Sequence, residues 1–369
     1  MNGRSDCPQS ARNTGGTYDT KQTVPLYLQI KVNKMNNWKS VLKADPIDWL
    51  LEKDNPSVRY FTLADILDKP ESTPEVIEAK KEIMKTGVVP RILARQNDEG
   101  YWGKPEDFYV RAKYKGTVWQ LIILAELGVD GENSRIRKAC EFILKISQDR
   151  ESGGFAYRGT ESTGGKHNAV TPCLTGNMVW SLLRFGNLQN PKVQRGIDWI
   201  TRYQRFDDGI ENAPEGWPYT RKEQCWGRHT CHMGVVKALN ALAEIPANRR
   251  SEDVKNTIKQ GAEYLLGHHV HKRSHDLKEV AQPHWLQFGF PLLWKTDALD
   301  MLLVLTKLGY RDKRMQEAVD LVISKQDSQG RWKLETTFNG RFQTNIERKD
   351  QPSKWVTLNA LRVLKRVGE

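Results

Sequence analysis

The sequence predicts an all-α protein built from six helical hairpins. Apolar helical patterns begin near Val58, Thr117, Thr175, Gly234, Thr296 and Trp355, so successive steps are 59, 58, 59, 62 and 59 residues. A more polar, amphipathic stretch precedes each of them, and a Gln-to-Trp turn recurs in the connections. A fixed step of this size is the mark of a repeat architecture, in which each unit buries its apolar face against the next.

The apolar segments are short and hydrophobic nearly all round, as in 117–128, 177–185, 235–245, 299–308 and 355–364. They read as inner helices, with Gly128, Gly186 and Gly309 placed as C-terminal caps. The stretches 47–51, 75–86, 135–146, 193–202, 254–266 and 315–325 carry apolar residues on one face only and read as outer helices.

The turns Arg95-Gln96-Asn97-Asp98-Glu99-Gly100-Tyr101-Trp102 and Lys325-Gln326-Asp327-Ser328-Gln329-Gly330-Arg331-Trp332 share one pattern, with looser copies at 148–155 and 204–217. Gln at a helix end bonds exposed backbone groups, Gly allows the tight turn, and the aromatic ring covers the outer helix. The turn therefore staples one hairpin to the next. These segments resemble the Gln-Trp motifs of squalene-hopene cyclases and the repeats of protein prenyltransferase β subunits, over about residues 45–369. The resemblance to the terpene cyclase and protein prenyltransferase superfamily implies an α6/α6 toroid, a closed barrel of six hairpins around a largely apolar cavity. Six repeats with long inner helices favour closure over an open solenoid.

Residues 1–44 are polar and rich in Gly, Ser and Thr, and read as a poorly ordered tail ahead of one toroid domain at 45–369; Met35 is an alternative start. Of the 369 residues 38% are apolar and 9% aromatic, enough for a real core. The formal charge of +12 is spread over many helices, so no nucleic-acid partner is expected, while peripheral membrane contact stays open. No run is long and apolar enough for a membrane span, and no secretory h-region is seen. Five cysteines (Cys7, Cys140, Cys173, Cys225, Cys231) lack disulfide-framework spacing, which fits a reducing, cytoplasmic setting.

Chemistry is expected at the starts of the inner helices, where helix dipoles favour anions and thiolates. Cys173 and Cys231 stand 58 residues apart, one repeat, and so belong on adjacent helices. With His232, and Cys225 as alternative or fourth ligand, they form a candidate zinc site; three protein ligands and an open position would be catalytic, four structural. Buried packing is the bland alternative for these cysteines, and Cys140 reads as core. By resemblance, protein prenyltransferases hold zinc with Asp, Cys and His, and lanthipeptide cyclases with two Cys and one His; neither spacing is matched here.

The Asp-x-Asp-Asp acid of class II terpene cyclases is absent. Asp207-Asp208-Gly209-Ile210-Glu211 formally fits a magnesium-diphosphate pattern, but its place in a Gln-Trp-like turn favours a surface turn. The fifth repeat carries a histidine-rich stretch, 268–275, then Asp297 and Asp300 at its inner-helix start. Asp297 is a candidate acid, base or further ligand, against a plain acidic cap; Arg228 and His229 are candidates for contact with an anionic group. Trp119, Trp180, Trp294 and Trp355 serve either the core or an aromatic-lined cavity. The expected function is an isoprenoid-handling enzyme with an apolar small molecule in its cavity and Zn2+ at the mouth. Two alternatives are a non-catalytic toroid binding a lipid, peptide or protein, and a zinc-dependent peptide-modifying enzyme similar to lanthipeptide cyclases.

Overall fold

The computed structural model describes residues 38–369 apart from Val110 and Ala112. Helices alternate along the chain as expected. The outer helices are α1 (Ile47–Leu50), α3 (Pro74–Ile83), α6 (Ser134–Ile146), α8 (Pro191–Tyr203), α11 (Glu252–Gly267) and α13 (Gln316–Ser324). The inner helices are α2 (Pro56–Phe61, continued by a wide turn at Thr62–Ile66), α5 (Thr117–Glu126), α7 (Pro172–Arg184), α10 (His232–Ala243), α12 (Ala298–Lys307) and α14 (Lys354–Gly368). Short helices α4 (Val88–Leu93) and α9 (Glu223–Trp226) lie in connections. So do two small antiparallel hairpins, β1–β2 (Gly159–Thr160 with Gly164–Gly165) and β3–β4 (Lys272–Arg273 with Asp276–Val280).

Local sequence sets the helix ends. Side chains of Asn55, Asn133, Asn190, Ser251, Asp297 and Ser353 cap α2, α6, α8, α11, α12 and α14. Proline opens α2, α3, α7 and α8, where its missing N–H costs nothing. Gly128, Gly186 and Gly309 take positive φ values of 73°, 80° and 92° just beyond α5, α7 and α12, as the capping reading requires.

Residues 117–125 of α5 are all buried, whereas α6 buries one face only, through Ile136, Ala139, Cys140 and Ile143. Consecutive inner helices pack in order from α5 through α7, α10 and α12 to α14, and α14 also meets α2. The α7–α10 crossing is close because Gly176 has no side chain: a Cβ there would lie 2.6 Å from the Lys237 carbonyl carbon.

The turns act as staples. Gln96 Nε2 donates to Gly100 O and to Arg135 O at the start of α6, each at 2.9 Å. Gln148 Nε2 does the same to Gly153 O and Lys192 O at the start of α8. Trp102 Nε1 donates to Ile92 O and Trp332 Nε1 to Val322 O. A threonine of the inner helix completes the turn, since Thr117, Thr175 and Thr357 hydroxyls accept from the backbone N–H of Trp102, Phe155 and Trp332. In the looser fourth copy Trp217 stacks on His167 at 4.0 Å, and Trp226 is the fully buried ring.

The last staple reaches the first hairpin. Gln326 Nε2 donates to Val41 O at 3.1 Å, and Lys43 N and Nζ donate to Gln326 Oε1 and O. Lys354 pairs with Glu52 and Asp54, Arg362 with Asp65, and Lys365 with Asp68. These contacts correct the expected start of the folded domain at 45: residues 38–44 already pack, with a single turn at Trp38–Val41 against α14. The remainder of the expected tail lies outside the described residues.

Candidate functional site

The inner helices border a central cavity of about 330 Å3. Apolar side chains such as Phe61, Ile122, Phe290 and Leu303 form part of its wall. The rest is polar, a difference from the largely apolar cavity implied by the resemblance. One ionisable residue per hairpin stands at the C-terminal end of the inner helix and lines this space: Asp65, Glu126, Arg184, Glu244, Lys307 and Arg366. Three are acids and three are bases, so the ring is internally balanced.

Most of these groups are paired. Lys307 Nζ lies 2.6 Å from Glu244 Oε1, which also accepts from Trp180 Nε1 at 3.0 Å. Burial alone would raise the Glu244 carboxyl, yet Lys307 and Arg184 hold it below its usual range. Glu126 is different: among the described residues it has no hydrogen-bond or ion-pair partner. Burial, then the charge of Asp300, raises its carboxyl above the usual range.

Asp297 and Asp300 sit at the start of α12 and face the same cavity. Asp297 is 1% exposed; its Oδ1 accepts from Asp300 N at 2.8 Å and its Oδ2 from Gly289 N at 2.9 Å. Burial first, then the charge of Asp300, pushes Asp297 up to about 7, although both N–H groups and Lys237 oppose the shift. Asp300 accepts from Lys237 Nζ at 2.9 Å and Thr296 Oγ1 at 3.0 Å. Asp297 is thus both the cap the sequence allowed and a buried carboxyl that titrates near neutrality.

The other expected site residues lie elsewhere. Arg228 and His229 are exposed and do not border the cavity that Asp297 faces. The reason is the fold of the connecting loop around Arg205, which donates to Trp226 O and Gly227 O and pairs with Asp207. Arg228 Nε is spent on Gly209 O at 3.1 Å. Asp207 accepts from Gly209 N and Glu211 N, so 207–211 is a turn held by its own first carboxylate.

The repeat step does bring thiols together. Cys173, Cys225 and Cys231 are free and act on one another electrostatically. Burial is the main cause that pushes Cys173 up to about 12 and Cys225 up to about 11, with neighbouring thiols adding to both. His232 packs instead among Trp285, Tyr264 and His268, with Nε2 3.0 Å from Met301 Sδ. Burial, then His268, keeps its imidazole well below the usual range. Among the described residues no group of three or more His, Cys, Asp and Glu is arranged to hold a metal ion. Cys140 is core, and burial pushes its thiol up to about 12. Of the four tryptophans considered, Trp180 borders the cavity, Trp119 and Trp355 are core, and Trp294 donates to Tyr114 Oη.

Residues 75–219, which hold the second and third hairpins and the start of the fourth, match the squalene-hopene cyclase C-terminal domain family. That segment is squalene-hopene cyclase-like. Among solved structures, a variant of type II terpene cyclase MstE from Scytonema in complex with merosterolic acid A is similar at 13% identity. That match covers 92% of this chain and 99% of that chain, with a TM-score of 0.43. Cellobiose 2-epimerase from Bacillus thermoamylovorans is similar at 14% identity over 68% of this chain and 71% of that chain, with a TM-score of 0.43. A sugar epimerase from a ruminal bacterium gives 14%, 67%, 70% and 0.39 for the same measures. A comparison with curated proteins finds no match. No helix among the described residues is long and apolar enough to cross a membrane.

The cavity groups were hidden for a simple reason: only Asp297 and Asp300 fell near a motif. A readable signal existed all the same. Glu126, Arg184, Lys307 and Arg366 each stand two residues before a glycine that follows or ends the inner helix, and Glu244 stands two before Pro246. Aligning the repeats on those caps would have produced the ring.

Proposed function

We propose that the six hairpins form a closed α6/α6 toroid, and that the protein is an enzyme moving protons to and from a small molecule held in its cavity. Asp297 is the acid–base group. The observation that carries this reading is a buried carboxyl on the cavity wall, poised near 7 and oriented through both oxygens. A group titrating near the working pH exists in both forms and so donates and accepts a proton with little penalty. The backbone bonds fix its rotamer before any ligand arrives.

Proton transfer has a signature that does not depend on knowing the substrate. Candidate compounds, both isoprenoids such as geranylgeraniol and polar metabolites, are incubated with the protein in D2O. Wild type is expected to introduce deuterium at carbon in at least one, releasing the displaced proton to solvent, while Asp297→Asn does not. Asparagine still caps the helix, so loss of exchange with an unchanged melting curve isolates the chemistry. Deuterium uptake equal in both proteins overturns the proposal. Isoprenoids enter the panel because of the family likeness over 75–219, and polar metabolites because much of the wall is polar.

A Zn2+ ion on Cys173, Cys231 and Cys225 is a second reading, favoured by the nearness of three thiols, which would have to close up on the ion because they do not form a metal-holding group as they stand. Thiolates are soft ligands, and a bound cation would ionise thiols that burial otherwise keeps protonated. Bound zinc is expected to give cobalt-substituted protein a thiolate-to-metal charge-transfer band that weakens in Cys173→Ser. Metal-free protein after purification with added zinc removes this reading and leaves the Asp297 proposal intact.

A further inference from the structure

The cavity contains two ionisable side chains whose partners are missing. Glu126, on α5, accepts no hydrogen bond from any described residue. Arg366, on α14, forms no ion pair with any described residue, although Arg362 one turn earlier is held by Asp65 and Asn359. Burial lowers Arg366 and repulsion from Arg362 adds to it, while Asp65 and Glu369 oppose the shift without forming an ion pair with it. A largely buried guanidinium with no carboxylate in direct contact is costly, and an anion from outside would supply that contact.

Glu126 lacks a donor in the same way, and its neighbourhood argues for a hydroxyl. The nearby cations Lys237 and Arg362 are engaged by Asp300 and Asp65, and Arg184 lies 4.0 Å from Glu244 and over the rings of Phe61 and Trp180. Asn177, Asn240 and Asn359 border the same space; the first two donate to Leu293 O and Asp300, the third accepts from Arg362, and each amide keeps further hydrogen-bonding capacity. Phe61, Trp180 and Phe290 add aromatic surface to the wall, with Arg184 over the first two rings and Trp355 stacked on the third. Carboxyl and amide groups beside aromatic surface suit a ring with hydroxyls on its edge and C–H bonds on its faces.

We infer that the central cavity binds a small polyhydroxylated anion of the sugar-acid type, its anionic group on Arg366 and a hydroxyl on Glu126. This rests on the reading of the cavity as the functional site, but not on Asp297 transferring a proton. Burial around Glu126 supports it, because it shifts the carboxyl toward its neutral form, which can donate to a hydroxyl as well as accept. A volume of about 330 Å3 lies at the lower end of small-molecule sites and matches one ring better than an extended chain.

Calorimetry with D-glucuronate, D-glucose and acetate separates the two contacts, the last two probes carrying one feature each. Glucuronate is expected to bind more tightly than either by about tenfold or more. Arg366→Met should lower glucuronate affinity by about tenfold and leave glucose unchanged, with Arg366→Lys restoring part of the loss; Glu126→Gln should weaken glucuronate and glucose but not acetate. Circular dichroism checks that each variant is folded, and should Glu126→Gln unfold, the Arg366 pair decides alone. Failure of glucuronate to bind wild type, or binding indifferent to Arg366→Met, overturns the inference. Binding in a protein whose Asp297→Asn variant still exchanges deuterium would instead count against the proton-transfer reading and leave this one standing.

Discussion

Lys237 on α10 and Asp300 on α12 form an ion pair on the cavity wall, with Nζ 2.9 Å from Oδ2 and side chains only 6% and 14% exposed. The pair joins two neighbouring inner helices and supplies the negative charge that helps raise Asp297 and Glu126. Lys237→Met should therefore leave a buried charge uncompensated and lower stability by about 3–5 kcal/mol in urea unfolding. Adding Asp300→Leu should recover much of that loss. A double variant no more stable than the single one would show that the lysine stem, not the pair, matters.

Asp297 gives the protein a pH dependence of defined sign. Its folded value of about 7 lies above the ordinary carboxyl value of 3.8, so the folded state holds a proton that the unfolded state has released between those limits. Stability should fall as pH rises from about 4 to 7, by a few kcal/mol at most, and be flat in this respect above 7. Asp297→Asn should lose this component while other groups keep theirs. The check is the difference between the two stability–pH curves, which should vanish if Asp297 titrates normally.

The glutamine staples make unequal predictions from similar residues. Gln148→Leu strips partners from Gly153 O and Lys192 O and should cost about 1–3 kcal/mol. Gln329→Leu, on an exposed turn, should stay within about 0.5 kcal/mol of wild type. Denaturant midpoints of both variants measure the contrast.

The contacts between the chain's first and last hairpins can be tested through an ion pair on the cavity wall. Arg362→Met breaks the pairing with Asp65. Hydrogen exchange at residues 58–66 should accelerate by about tenfold for each 1.4 kcal/mol of lost local stability. An open solenoid in solution would show exchange in this segment indifferent to the substitution.

The sequence by itself determined the repeat. Hydrophobic period, capping residues and the Gln-to-Trp turns are local signals, and they placed twelve helices, with the ends displaced by a few residues at most. The step also put Cys173 near Cys231, because equal positions in adjacent repeats must be neighbours. Side-chain direction was beyond its reach: Cys231 and His232 are consecutive, yet the imidazole goes to Trp285 and Met301. Position on a helix fixes which face a residue occupies, and the packing of other repeats decides what that face meets. The same holds for the cavity. That Glu126 and Arg366 form no ion pair among the described residues and that Asp297 holds its proton near neutrality depend on burial among helices far apart in the chain, and only the tertiary structure decides that.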